Sequence, residues 1–250
     1  MADDYIGNVL GLLRKFKKNG LPNNAVSDNL RNIAGQPISE SEVLRFAAYA
    51  HEQAAAAQVL INNSALPDEA KAGLIETTQA IIAACSVGGI SSGLQNYFPK
   101  LDSSLSSFAI LAGVRGVIPT ALDIPEVVSL VQEIKSLRDT LTTYNLDPIV
   151  FETVMRHLTM LSVLLENIDA FGVDSAMVAY TDLVLRFRRS AAEPSEKSKA
   201  GIARLWAQIE QWTGRLTIID HAINSGTGIL AHIPSMATII HQLPHIPVVT

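Results

Sequence analysis

TTQAIIAACSVGGISSGLQNYFPKLDSSLSSFAILAGVRGVIPTAL, residues 77–122, carries formal charge only at Lys100, Asp102 and Arg115. Two low-charge segments, 77–94 and 105–122, flank a polar break from Gln95 to Asp102. A membrane-spanning helix needs ~20 consecutive apolar residues, and here glycines, serines, Pro119 and Arg115 interrupt each run. The stretch therefore reads as a buried helical hairpin, around which amphipathic helices wrap.

Upstream, residues 4–18 place Ile6, Val9, Leu10, Leu13 and Phe16 on one helical face and end in Arg14, Lys15, Lys17 and Lys18. Such a basic end can meet an anionic membrane, or it can simply complement the helix macrodipole. After the break at Gly20–Asn23, a short helix runs from Ser27 or Asp28 to Gly35. Ser39 and Glu42 then form an S-x-x-E capping box that opens an alanine-rich helix to about Leu60. Pro67, Asp68 and Glu69 start the helix that enters the low-charge stretch and breaks near Gly88-Gly89. Ser103 or Ser104 is the expected cap of the second arm.

Downstream, Asp123-Ile124-Pro125-Glu126 and Asp147-Pro148 repeat a cap-and-proline device. They predict helices to about Tyr144 and Ala170, joined antiparallel through Asn145-Leu146. A further helix, 174–189, ends in Arg186, Arg188 and Arg189. Residues 190–199 turn abruptly polar and read as a linker or mobile loop. The final helix, 199–224, places Trp206 and Trp212 on or near its apolar face. After Asp220 no Asp, Glu, Lys or Arg occurs through Thr250, while large aliphatic residues recur.

Chemistry-bearing motifs fail their spacing or context tests. His51-Glu52 begins like H-E-x-x-H, but Ala55 holds the second ligand position. His221, His232, His241 and His245 cluster in the tail, but Pro244 breaks the helix that would pair His241 with His245, and no carboxylate or cysteine lies near that pair. The glycines Gly88, Gly89 and Gly93 do not follow the phosphate-loop pattern. Gly89-Ile90-Ser91-Ser92-Gly93 matches G-x-S-x-G in spacing, but no strand precedes it to build the nucleophile elbow that the motif requires. Cys85, the single cysteine, sits among apolar residues and reads as a buried inert thiol. No catalytic residue, cofactor or metal ligand is assigned, which counts against an enzyme; a site between bundle helices around His51 or His157 is the third functional alternative.

A hydrophobic fraction of 48% with 17% charged residues excludes a disordered chain, and a net charge of -5 argues against nucleic acid as a partner. The acidic start, Met1-Ala2-Asp3-Asp4, does not resemble a signal peptide, so a cytoplasmic protein is expected. The sequence thus predicts an all-α multi-helix bundle built around a low-charge central helical hairpin, with an appended C-terminal helix and apolar tail. Its expected divisions are a bundle domain (1–189), a polar linker (190–200) and a C-terminal helix and tail (201–250). Function is expected to be non-catalytic: homo-oligomeric or partner-protein contacts made by Trp206, Trp212, Ile229, Leu230, Ile233, Ile239 and Ile240. The alternative is a membrane-active protein that inserts the 77–122 hairpin or the tail, with Arg14, Lys15, Lys17 and Lys18 touching anionic lipid.

Overall fold

The structure, a computed structural model, describes residues 5–114 and 124–224. Among these residues there are nine α-helices and no strand. They are α1 (Tyr5–Asn19), α2 (Val26–Ala34), α3 (Glu40–Asn62), α4 (Asp68–Ala84), α5 (Leu101–Val114), α6 (Pro125–Thr140), α7 (Pro148–Glu166), α8 (Ile168–Ser190) and α9 (Lys199–Asn224). The described residues form two compact units. One comprises residues 5–114 and 167–175, the other residues 124–166 and 176–224.

In the α1–α5 unit, α1 buries Ile6, Val9, Leu10, Leu12, Leu13 and Phe16, and packs against α2, α3 and α5. The capping box that opens α3 is formed: the Ser39 amide donates to Glu42 Oε2 at 2.6 Å, and the Glu42 amide donates to Ser39 Oγ at 3.4 Å. α3 and α4 pair closely, which the buried alanines Ala47, Ala50, Ala54 and Ala57 of α3 permit by letting backbones approach. Between α1 and α2 the chain zips onto the loop after α4. The amides of Val26 and Ser27 donate to the carbonyls of Ser92 and Ile90, and those of Leu94 and Gln95 donate to Asn24 and Pro22.

Asn29, fully buried, holds that zipper in place. Its Oδ1 accepts from the Leu21 amide at 2.6 Å, and its Nδ2 donates toward the carbonyls of Leu21, Asn24 and Ala25 at 3.0–3.1 Å. Asn29→Ala is expected to lower stability by about 3 kcal/mol, because it strands buried backbone groups as well as removing bonds. Asn29→Asp is expected to do more damage, since a carboxylate would face three carbonyl oxygens. Urea denaturation of the three proteins checks this; an aspartate variant as stable as the parent would contradict it.

Residues 167–175, although they follow α7, belong to the α1–α5 unit. Ile168, Ala170, Phe171 and Val173 are buried there, and the Phe171 ring meets that of Phe46 at 5.3 Å. Lys15 pairs with Asp169 at 3.3 Å. At Gly172 the backbone leaves helical geometry (φ 76°, ψ 161°), so α8 is kinked there.

In the α6–α9 unit, α6 packs on α7 and on α9. Ion pairs Lys135–Glu166 and Arg215–Glu133 tie α6 to each neighbour. α7 is buried on every side from His157 to Leu165. Among the described residues it is the helix long and apolar enough to span a membrane, and most of it is buried within the fold.

The all-α multi-helix expectation holds, the described parts of the two hairpin arms, α4 and α5, pack on each other, and residues 115–122 of the second arm lie outside the described residues. α4 pairs with α3, and α5 packs mainly on α1. Within the low-charge stretch Thr77, Thr78, Ile81, Ala84, Phe108 and Leu111 are buried, whereas Gln79 and Ala83 of α4 and Ile110 of α5, at 69%, are exposed. Low charge alone does not specify which face of each arm is covered, because small side chains occur in both environments. The most enclosed helix is α7, whose flanking charges masked it in the sequence.

Several boundaries move as well. α5 begins at Leu101, before the expected serine caps, and α7 stops at Glu166. Ile124 rather than Asp123 occupies the cap position of α6, and Asp123 lies outside the described residues. α9 is not an appendage: it is packed into the same unit as α6 and α7. The polar segment before it is anchored there too. Asp147 accepts hydrogen bonds from the Ser195 amide at 3.0 Å and Ser195 Oγ at 2.7 Å, and the Asp147 amide donates to buried Ser198 Oγ at 3.2 Å. The polar composition of 190–200 thus supplies bonds to the start of α7 inside one unit.

Candidate interaction surface

α9 is amphipathic in an unusual way. Its inner stripe, Ile202, Leu205, Ile209, Trp212, Leu216 and Ile219, is buried. Polar and aromatic groups fix both flanks. Tyr144 Oη donates to Gln208 Oε1 at 3.0 Å, and the Arg204 guanidinium lies 3.7 Å from the centre of the Tyr144 ring. Trp206, half-buried, stacks on Phe187 at 5.9 Å and receives Arg188 at 4.6 Å from its centre.

Tyr180 Oη donates to the Ile209 carbonyl at 2.8 Å and lies 2.7 Å from Thr213 Oγ1. Burial pushes this phenol up to about 12; the Thr213 hydrogen bond opposes that shift and the Glu210 charge adds to it. The hydroxyl therefore serves as a fixed neutral bracket between α8 and α9.

The outer face of α9 carries Ala200, Ala203, Ala207, Gln211, Gly214 and Ile218, all exposed, with Ile218 at 54%, and exposed Arg204, Glu210 and Thr217 border it. A solvent-facing helical surface is ordinarily rich in Lys and Glu. Here Arg204 is folded over Tyr144 and Arg215 is drawn to Glu133, which leaves Glu210 as the formal charge along that face. Sequence reasoning followed the tryptophans and missed this face; exposed alanines and a glycine give no hydrophobic signal, and only the direction of the buried stripe identifies them.

The expected contact residues separate. Trp212 is 1% exposed and belongs to the core of its unit. Trp206 presents one edge of a stacked cluster. Ile229, Leu230, Ile233, Ile239 and Ile240 lie outside the described residues. Of the basic group on α1, Arg14 and Lys18 are exposed, Lys15 is tied to Asp169, and Lys17 reaches Asp102 at 2.7 Å. The four cations therefore do not act as one free patch.

The titratable groups raised as enzyme candidates are also placed. His157 is buried, with Nδ1 2.7 Å from the Thr153 carbonyl and Nε2 3.3 Å from Asp182. That imidazole is 7% exposed and is held between α7 and α8. His51 is half-buried on α3. Burial pushes the Cys85 thiol up to about 12, which keeps it protonated and unreactive. Asp147 is held below the usual carboxylate range by the Ser195 hydroxyl and then by the Ser195 amide, against a smaller opposing effect of burial. It lines a cleft with Asn145, Leu146, Ser195 and Lys197. Among the described residues no group of three or more His, Cys, Asp or Glu side chains is placed to hold a metal ion. Comparison with protein-family models, curated proteins and solved structures gives no match.

Proposed function

We propose that this chain is a non-catalytic helical interaction and assembly protein, making homo-oligomeric or partner-protein contacts through its C-terminal part. The observation that carries this reading is the run from His221 to Thr250, which contains no Asp, Glu, Lys or Arg while Ile229, Leu230, Ile233, Ile239, Ile240, Leu243 and Ile246 recur. An apolar segment of this extent is stable in water only when something covers it. The exposed small residues Ala203, Ala207 and Gly214 of α9 support the same reading.

Light scattering over a wide concentration range tests the reading on the full chain and on a chain stopped after Asn224. The full chain is expected to assemble and the shortened chain to remain monomeric. A full chain that stays monomeric throughout and captures no protein partner would overturn the proposal. Co-flotation of the full chain with anionic liposomes at low salt would favour the membrane-active alternative instead.

A further inference from the structure

We propose that residues 192–197 form a strap latched at a single point, the contact between Asp147 and Ser195, and that this strap opens while the helices of the α6–α9 unit stay folded. The ends of the strap are fixed. Ala191, buried directly after α8, donates its amide to the Phe187 carbonyl at 2.8 Å. Ser198, fully buried, accepts at its carbonyl from the Ile202 amide at 2.9 Å and so begins α9. Just beyond it, Gly201 lies so close to the Tyr144 carbonyl that a Cβ there would sit 1.8 Å from the oxygen. Between these anchors Ala192, Glu193, Ser195, Glu196 and Lys197 are exposed and Pro194 is half-buried, so the strap contributes no side chain to the core.

Hydrogen bonding is equally sparse. Among the described residues, the strap bonds to the rest of the unit through Ser195 alone: its amide and its hydroxyl donate to the Asp147 carboxylate at 3.0 and 2.7 Å. Glu196 pairs with Lys199 at 2.6 Å, an exposed contact within the same turn that adds little. A segment opens locally at a free energy set by the buried surface and the bonds it gives up. Here that amounts to two bonds to one carboxylate, whereas unfolding the unit would also expose Leu205, Ile209, Trp212 and Leu216. The latch depends on charge, because bonds donated to a carboxylate are stronger than those donated to a neutral oxygen.

Opening changes what this part of the surface offers. The cleft here is lined by Ser195 and Lys197 from the strap and by Asn145, Leu146 and Asp147 from the turn before α7. With the strap away, its share of the lining is gone and the Asp147 carboxylate is released to solvent or to another donor. The strap is thus a gate over that turn, separate from the contacts proposed for residues 221–250.

Limited proteolysis of the full chain with a lysine-specific endoprotease tests this. Cleavage after Lys197, located by fragment mass, follows the population of the open strap when opening and closing are fast. Asp147→Asn keeps the backbone bond from residue 147 to Ser198 Oγ but removes the charge and one acceptor. It is expected to raise the cleavage rate at Lys197 by about fivefold or more, and Ser195→Ala to raise it less, because the amide bond remains. Urea midpoints of both variants are expected to stay close to that of the parent. The double variant is expected to be cut little faster than Asp147→Asn, since both changes act on one contact; effects that multiply would reveal a second anchor and overturn the single latch. An unchanged rate in Asp147→Asn would overturn the proposal, as would a rise matched by an equal loss of global stability, which would mean that cleavage reports unfolding of the unit. Should the asparagine variant fold poorly, Ser195→Ala decides: cleavage there at the parent rate would overturn the proposal.

Discussion

Replacing Gly11 with valine is expected to destabilise the α1–α5 unit by on the order of 4 kcal/mol and to release residues 167–175 from it. A Cβ at Gly11 would lie 1.9 Å from the Asp169 carbonyl oxygen and 2.6 Å from its carbon. Both are backbone atoms in a segment fixed by buried Phe171 and by the Lys15–Asp169 pair, so no rotamer change can relieve the overlap. A methyl already cannot fit there, and two further methyl groups enlarge the clash. Far-UV circular dichroism in urea reads the lost stability, and hydrogen exchange is expected to rise in both α1 and residues 167–175. Gly73→Ala in α4 is the matched control. Its Cβ would meet nothing within 4 Å, so helix propensity should make that variant more stable by about 0.5–1 kcal/mol. Equal effects at the two positions would refute the close crossing at Gly11.

The second large effect is expected at Trp212. Trp212→Ala should lower the stability of the α6–α9 unit by about 3–5 kcal/mol, the range for emptying a fully buried aromatic site. If Trp212 were a docking residue, the same change would weaken assembly and leave folding nearly untouched. Trp212→Phe separates the terms further. The indole Nε1 is buried with no hydrogen-bond partner among the described residues, so phenylalanine removes an unsatisfied donor while retaining much of the volume. Its loss is expected to be less than half that of alanine. Chemical denaturation followed by circular dichroism measures both variants; a stable Trp212→Ala protein would return this residue to the candidate surface.

Local chemistry was legible where it acts over a few residues. The Ser39–Glu42 box, the prolines opening α6 and α7, and the apolar period of α1 and α9 all specify helices without reference to the rest of the chain. What charge did not specify was which face of a helix is covered. Residues 77–122 are poor in charge, yet α4 and α5 lie partly in solvent, because small side chains carry no strong preference for either environment. His157, Thr159 and Ser162 make α7 look less apolar than its enclosed position warrants, and their polar groups are placed by burial: His157 Nδ1 at the Thr153 carbonyl, and Thr159 Oγ1 donating to the Met155 carbonyl at 2.9 Å. Periodicity continuing toward Ala170 hid the end of α7 at Glu166, since a chain can change partners without a break in its apolar pattern.

The sequence by itself determined that the chain is helical, where most helices start, and that residues 221–250 contain no formally charged side chain. Those properties follow from backbone capping, helical periodicity and composition, each set by neighbours in the chain. Only the tertiary structure decided that Trp212 is core, that residues 167–175 dock beside Gly11, that Asp147 anchors the polar segment, and that the outer face of α9 is nearly uncharged. These depend on which side of each helix is covered and by what, and side chains distant in sequence settle that when they compete for the same space.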